Sequence, residues 1–197
     1  LAAVFAALCR ELTVFCVFWI AISCINDLAV DVGFLLLWTR HRQDLRRLTV
    51  DLGDAALHGP AAVFVPAWHE EIVIGETIRH MLQVWGQQDF RLYVGTYCND
   101  PATIEAVMIA SGGDPRLRLV ISERPGPTTK GDCLNRLYQA MVEDERRCGT
   151  RMRMVVLHDA EDLVHPDALV LLDQAMDSAA FVQLPVRPEP QAGGRWI

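Results

Sequence analysis

The stretch Met152 to Asp162 reads Met-Arg-Met-Val-Val-Leu-His-Asp-Ala-Glu-Asp, and its reading decides the fold. The apolar run Met154 to Leu157 stops at three carboxylates, Asp159, Glu161 and Asp162. A short apolar run bounded in this way fits a buried strand of a parallel sheet. Open α/β sheets bind ligands beyond the carboxyl ends of their strands. Acids crowded this closely repel one another and stay ionised together most easily beside a cation. The end of this strand is therefore expected to hold a divalent cation, Mg²⁺ or Mn²⁺, and through it a diphosphate.

Outward from this strand, apolar runs alternate with helical spacing. Strands are expected at Ala61–Ala67, Arg91–Tyr97, Leu117–Ile121, Met154–Leu157 and Phe181–Val186. Helices are expected at Gly75–Trp85, Thr103–Ala110, Asp132–Val142 and from Pro166 to about Met176. The second of these strands runs into Cys98-Asn99-Asp100-Pro101, and the third is followed by a loop with Pro125 and Pro127. Strict alternation predicts an α/β domain with a mostly parallel sheet and helices on both faces.

Three polar clusters follow three strands: Trp68 to Glu71, Cys98 to Asp100, and His158 to Asp162. Right-handed crossovers bring such strand ends to one edge of a sheet. A fourth cluster, Thr128 to Asp132, opens a helix, whose free N–H groups favour anions, and Lys130 there can meet a phosphate. Each residue also has a plainer reading. Asp132 can be a cap, Asn99-Asp100-Pro101 a turn, Glu70 and Glu71 first-turn acids, and Lys130 a surface lysine. His158 and His165 read as structural, and Cys133 as packed core.

The first fifty residues differ in kind. Leu12 to Ile25 is apolar but spans only roughly 21 Å, short of the ~30 Å hydrocarbon core. Apolar character resumes at Leu28 and continues to Trp38, broken by Asp31, so Leu12–Trp38 read as one helix can cross a membrane with tilt. Asp27 and Asp31 share a face of it. Arg40, Arg42, Arg46 and Arg47 follow, whereas only Arg10 precedes, which places the carboxyl-terminal side in the cytoplasm. Leu52 to Pro60 reads as a linker. The division is thus a membrane and juxtamembrane segment, 1–50, and a globular domain, 61–197. A chain starting at Leu1 rather than Met is expected to be a fragment.

Net charge is −7 and the sequence pI about 5.3, so no basic footprint for nucleic acid is present. Six cysteines form no C-x-x-C pair, and two lie in the apolar segment, which points to reduced thiols rather than disulfides or a zinc site.

The order of motifs resembles the family 2 glycosyltransferases of GT-A fold. Their first strand ends near Pro-x-x-Asn-Glu; here Pro66-Ala67-Trp68-His69-Glu70-Glu71 stands, with His69 in place of the usual Asn. Their Gly-Lys-x-x-Ala-Leu-Asn matches Thr129 to Asn135 at the Lys, Leu and Asn. Their Asp-x-Asp is here Asp159-Ala160-Glu161, with one extra methylene in the second arm. Val94 to Thr103, Gly126 to Thr128 and Gln183 to Val186 further resemble inner-membrane, phage-adsorption members, which carry an amino-terminal membrane segment.

The resemblance implies a metal held by Asp159 and Glu161, a nucleoside lined by Pro66, Ala67, His69 and Glu70, Asp100 near the nucleobase, and Lys130 and Asp159 near the nucleotide. It implies a UDP-sugar as donor, inverting transfer to an acceptor, and an inner-membrane enzyme with its domain in the cytoplasm, with an envelope protein as partner. Such members place their catalytic base on a later segment, followed by Gln-x-x-Arg-Trp. Gly194-Arg195-Trp196 comes too early for that element, so the donor-binding half is expected without the base. Two rivals stand beside this reading. One is a hydrolase with His158 and Asp159 as metal ligands, recruiting further histidines from His58, His69, His80 or His165. The other is a non-catalytic adaptor that keeps nucleotide-sugar recognition.

Overall fold

In a computed structural model, which describes residues 2–41 and 56–186, the chain divides into two units, Leu1–Leu48 and Thr49–Ile197. The second unit follows the alternation read from sequence: β1 Ala61–Pro66, α2 Ile74–Val84, β2 Phe90–Tyr97, α3 Pro101–Ser111, β3 Leu117–Ser122, α4 Lys130–Cys148, β4 Met154–Leu157 and α5 Ala168–Ala175. The four strands are all parallel, in the order β3-β2-β1-β4. Phe64 of β1 is paired with Tyr93 on one side and Leu157 on the other. From β1 the chain winds one way through β2 and β3, then returns to place β4 on β1's other side. The order reverses there, and the crevice beyond the carboxyl ends of β1 and β4 is the topological switch point.

Strand alternation sorts the core into two layers. Ala61, Val63 and Val65 join Ile74, Ile78, Met81, Val107 and Leu169 on the face covered by α2, α3 and α5. Ala62, Phe64 and Tyr93 meet Leu137, Ala140 and Met141 of α4 on the other. Gly95 permits the close approach of α4: a Cβ there would stand 2.5 Å from the Cys133 Sγ and 3.1 Å from Leu137. Beside β4 this second face is less covered, and Val155 and Leu157 are exposed.

Helix starts follow the local chemistry. Thr129 caps α4, its hydroxyl accepting the Asp132 N–H at 3.1 Å, so Asp132 is a first-turn acid rather than the cap. Asp100 caps α3, with Pro101 in the first turn. Helix α4 starts earlier and runs further than the apolar spacing predicts, because helix-compatible charged residues continue it to Gly149, at φ 69.

One expected strand does not form. Phe181 to Val186 makes no sheet pairing, with Phe181 and Val186 exposed and only Leu184 packed against the core. Its apolar composition mimics a strand, but Pro185 has no N–H to donate to a ladder.

The described residues of the first unit form the helix α1, Ala2–His41, longer than the expected Leu12–Trp38. Its segment Ala2–Thr39 has a mean hydropathy of 1.9 and is long and apolar enough to cross a membrane. Arg10 pairs with Glu11 at 2.8 Å, and apolar side chains are exposed all around the helix. The side chains of the basic cluster from Arg40 to Arg47, the early part of the linker and Gly194-Arg195-Trp196 lie outside the described residues.

Candidate functional site

Beyond the switch point lies an open crevice of about 250 Å³. The end of β1 contributes Pro66, Ala67, Trp68 and Glu70; β4 contributes Asp159, Ala160 and Glu161. Tyr97 of β2, the loop residues Pro127 and Thr128, and Lys130 and Cys133 of α4 complete the lining. Main-chain bonds carry the strands' register into these loops: Ala67 N–H to Gly95 at 2.8 Å and His158 N–H to Phe64 at 3.0 Å. The acidic loop is also clamped from below. The buried Thr77 hydroxyl of α2 donates to the Ala160 carbonyl at 2.7 Å, between the two acids that face the crevice.

The opposite wall is aromatic. Trp68 stands edge-on to Tyr97, with ring centroids 5.1 Å apart. The Tyr97 hydroxyl meets Thr128 Oγ1 at 2.8 Å. Asn99 brackets Gly126, donating to its carbonyl at 2.9 Å and accepting its N–H at 2.8 Å. A Cβ on Gly126 would sit 2.5 Å from the Trp68 ring, so only glycine lets this loop close on the indole.

Asp100 lies behind the lining rather than in it. It is buried, and its carboxylate accepts the N–H groups of His69 at 2.8 Å and Thr103 at 3.3 Å. Burial alone would raise this carboxyl, but those N–H donors, with the Thr103 hydroxyl and nearby His69, hold it below the ordinary value. Thr103 also accepts the Glu70 N–H at 3.1 Å. Asp100 and Thr103 thus anchor the loop that carries Glu70. His69 sits in the left-handed backbone region, φ 58, with its ring beside Trp68 at 4.2 Å.

Charge in the crevice is unbalanced. Among the described residues, Glu70, Asp159 and Glu161 are its acids and Lys130 its one cation, and Lys130 Nζ contacts the Asp159 carboxylate. Burial first, then the charges of Glu161, Glu71, Asp100 and Asp159, push the Glu70 carboxyl above its ordinary value. An oxygen-only donor set with excess negative charge suits a hard divalent cation. A second grouping lies alongside: one ligand atom each from His69, Glu71 and Asp100, all within 4.8 Å of one another.

Comparison with known proteins agrees with this geometry. The family described as "Glycosyltransferase like family 2" matches residues 58–196. The chain belongs to that family. Two relatives are each 32% identical over 171 residues: "Bacteriophage adsorption protein B" of Escherichia coli (strain K12) and "Bacteriophage N4 adsorption protein B" of Escherichia coli O157:H7. The match covers 85% of this chain but 23% of either relative, so the chain spans about a quarter of their length.

The architecture of this glycosyltransferase-family domain is GT-A-like. Of the residues singled out in its sequence, Pro66, Ala67, Glu70, Lys130, Asp159 and Glu161 come together on one crevice, while His69 and Asp100 support it from behind. Tyr97 and Thr77 escaped the sequence reading. Tyr97 was signalled only by ending a strand within a stretch that resembles the family, with no role attached, and Thr77 by nothing, since its partner is 83 residues away. His158 turns toward the core, its ring centroid 5.9 Å from Trp85, and burial lowers its pKa. His58, His80 and His165 are engaged elsewhere, with Asp173, the Val164 carbonyl and Asp167. The two-histidine hydrolase site therefore has no support among the described residues. A smaller cavity of about 170 Å³ at the sheet's other end, lined by Asp89, Arg91 and Asp144 among others, lies away from the switch point.

Proposed function

We propose that the domain binds a nucleotide-sugar, with UDP as its nucleotide, in the switch-point crevice, as the donor-binding half of an enzyme that transfers the sugar with inversion to an acceptor. The reading rests on one observation: the Asp159–Glu161 loop, Glu70 and Lys130 face the same crevice, between the ends of the two strands where the order reverses. Asp159 and Glu161 supply the oxygens for Mg²⁺ or Mn²⁺. A bound divalent cation would offset the charge that builds on the departing diphosphate. Pro66, Ala67, His69 and Glu70 line or support the nucleoside, Asp100 fixes their loop, and Lys130 meets the phosphates. Thr77 keeps the acidic loop in place through the Ala160 carbonyl.

Helix α1 anchors the domain at the bacterial inner membrane, with the crevice on the cytoplasmic side. Titration calorimetry of the detergent-solubilised chain with UDP- and GDP-sugars, with and without Mn²⁺, tests the reading. Mn²⁺-dependent binding of a UDP-sugar is expected; absence of binding to every donor, or binding indifferent to the cation, overturns it.

A second reading draws on the relatives' printed names, which speak of adsorption rather than transfer. It keeps donor recognition but makes the domain an adaptor for an envelope protein. Release of UDP from a bound donor in the presence of membrane extract, by a longer chain that includes the later base-bearing segment, favours transfer; tight binding without release by that longer chain favours the adaptor.

A further inference from the structure

The Lys130–Asp159 contact joins residues 29 positions apart across the mouth of the crevice. Lys130 is the first residue of α4, and Thr129 fixes its main chain, but its side chain is free to swing, being 58% exposed. A cation nearby in sequence, Arg124, is turned to Asp132 at 3.4 Å. Asp159 therefore has a single counter-ion among the described residues, and it occupies the carboxylate that the cation needs.

We propose that Lys130 is a resident surrogate for the divalent cation: it neutralises Asp159 in the free protein, yields that carboxylate when the cation enters, and then turns to the diphosphate that the cation carries. This rests on the reading of the crevice as a cation-dependent diphosphate site. Formal charge favours the exchange. With three acids and one lysine the lining carries an excess of two negative charges, which a divalent cation cancels; the arriving diphosphate is anionic again, and Lys130 is then the cation without a partner. An exposed ion pair is weak, so displacing the lysine hinders the cation without barring it.

The surrogate role predicts effects of opposite sign from one substitution. Calorimetry on the detergent-solubilised full chain would use Mn²⁺ alone and then UDP with saturating Mn²⁺. Lys130→Met is expected to tighten Mn²⁺ alone about two- to fivefold, because no lysine has to leave. The same variant is expected to weaken UDP in the presence of Mn²⁺ about tenfold, through loss of a charge-assisted contact. Lys130→Arg should keep the wild-type order of affinities. Arg124→Met removes an equal charge nearby and should move Mn²⁺ affinity less than twofold, which separates the specific pair from the general field. Unchanged or weaker Mn²⁺ binding in Lys130→Met, with wild-type Mn²⁺ binding intact, overturns the surrogate while leaving the diphosphate site standing. Equal tightening by Arg124→Met also overturns it. Failure of wild type and Lys130→Met alike to bind Mn²⁺ overturns both.

Discussion

The two ends of the sheet both gather carboxylates, and they treat them differently. At the amino-terminal end, Asp144 is buried on α4, in contact with Arg118 and within 3.5 Å of Arg91, and accepts the Tyr93 hydroxyl at 3.1 Å. Asp173, equally buried on α5, is shared by Arg153 and His58. At the carboxyl-terminal end, Glu70, Asp159 and Glu161 line an open crevice with Lys130 as their one cation among the described residues. Acids matched by arginines and sealed from water hold the fold together. On the proposed reading, acids left in excess at the mouth of a crevice are there to hold something that is not part of the chain. The pH response separates them as well. Burial pushes Asp144 up, but hydrogen bonds from Arg118 and Tyr93 and the arginine charges leave it below its ordinary value. Glu70 stands above its own.

The largest effect is expected where the match is broken. Asp144→Ala leaves Arg118 without its buried partner and should cost about 2–4 kcal/mol, somewhat below a fully buried pair because the arginine is partly exposed. Thermal or urea unfolding measures it, and Mn²⁺-dependent UDP binding to the folded variant should be unchanged. A stability change within ~0.5 kcal/mol would remove the contrast.

The second effect has the reverse profile. Asp159→Asn or Glu161→Gln should weaken UDP binding in Mn²⁺ by at least about tenfold, ~1.4 kcal/mol, and move unfolding by no more than ~0.5 kcal/mol. If either variant instead unfolds readily and still binds UDP normally, the acids of the crevice are structural.

Thr77→Val falls between. It removes the donor to the Ala160 carbonyl and should cost about 1 kcal/mol of stability. It should also loosen Mn²⁺ binding a few-fold, because the loop that presents Asp159 and Glu161 loses its clamp. A stability loss with unaltered Mn²⁺ affinity would show that the loop is held by other means.

The smallest effect is the pH leg of Glu70. Its folded pKa lies above its unfolded one, so its contribution to stability is present below the unfolded pKa and lost as pH rises through the folded value. Asp144 runs the other way: its contribution is present above the unfolded pKa and lost as pH falls through the folded one. On acidification, the first fall in Mn²⁺ affinity should come as Glu70, whose pKa is raised, takes up its proton. Glu70→Gln should remove that first leg of a calorimetric pH series; an identical series in the variant would detach Glu70 from the cation.

The carboxyl-terminal end was legible in the sequence because its chemistry is local. Apolar runs mark β1 and β4, and polar clusters follow each within four residues, so the periodic pattern alone aims them at one edge. The amino-terminal end was not legible. Arg118 and Asp144 are 26 residues apart, and His58 and Asp173 are 115 apart; neither spacing follows a helix or strand period. The expected strand at Phe181–Val186 failed for a related reason. Composition describes one segment, whereas a strand is a relation between two. Asp100 shows the same gap within the site: the sequence marks an acid beyond β2, but only the structure shows its oxygens spent on the N–H groups of His69 and Thr103.

The backbone at His69 draws a line between neighbours. At φ 58 a β-carbon is tolerated poorly, and asparagine is among the few side chains at ease there. Asparagine is also the residue usual at this place in the family that the chain resembles. Position 69 is therefore filtered by a dihedral angle and position 70 by the company of other charges. His69→Asn should pass almost unnoticed, whereas a β-branched residue in its place would displace the Glu70 carboxylate without touching it.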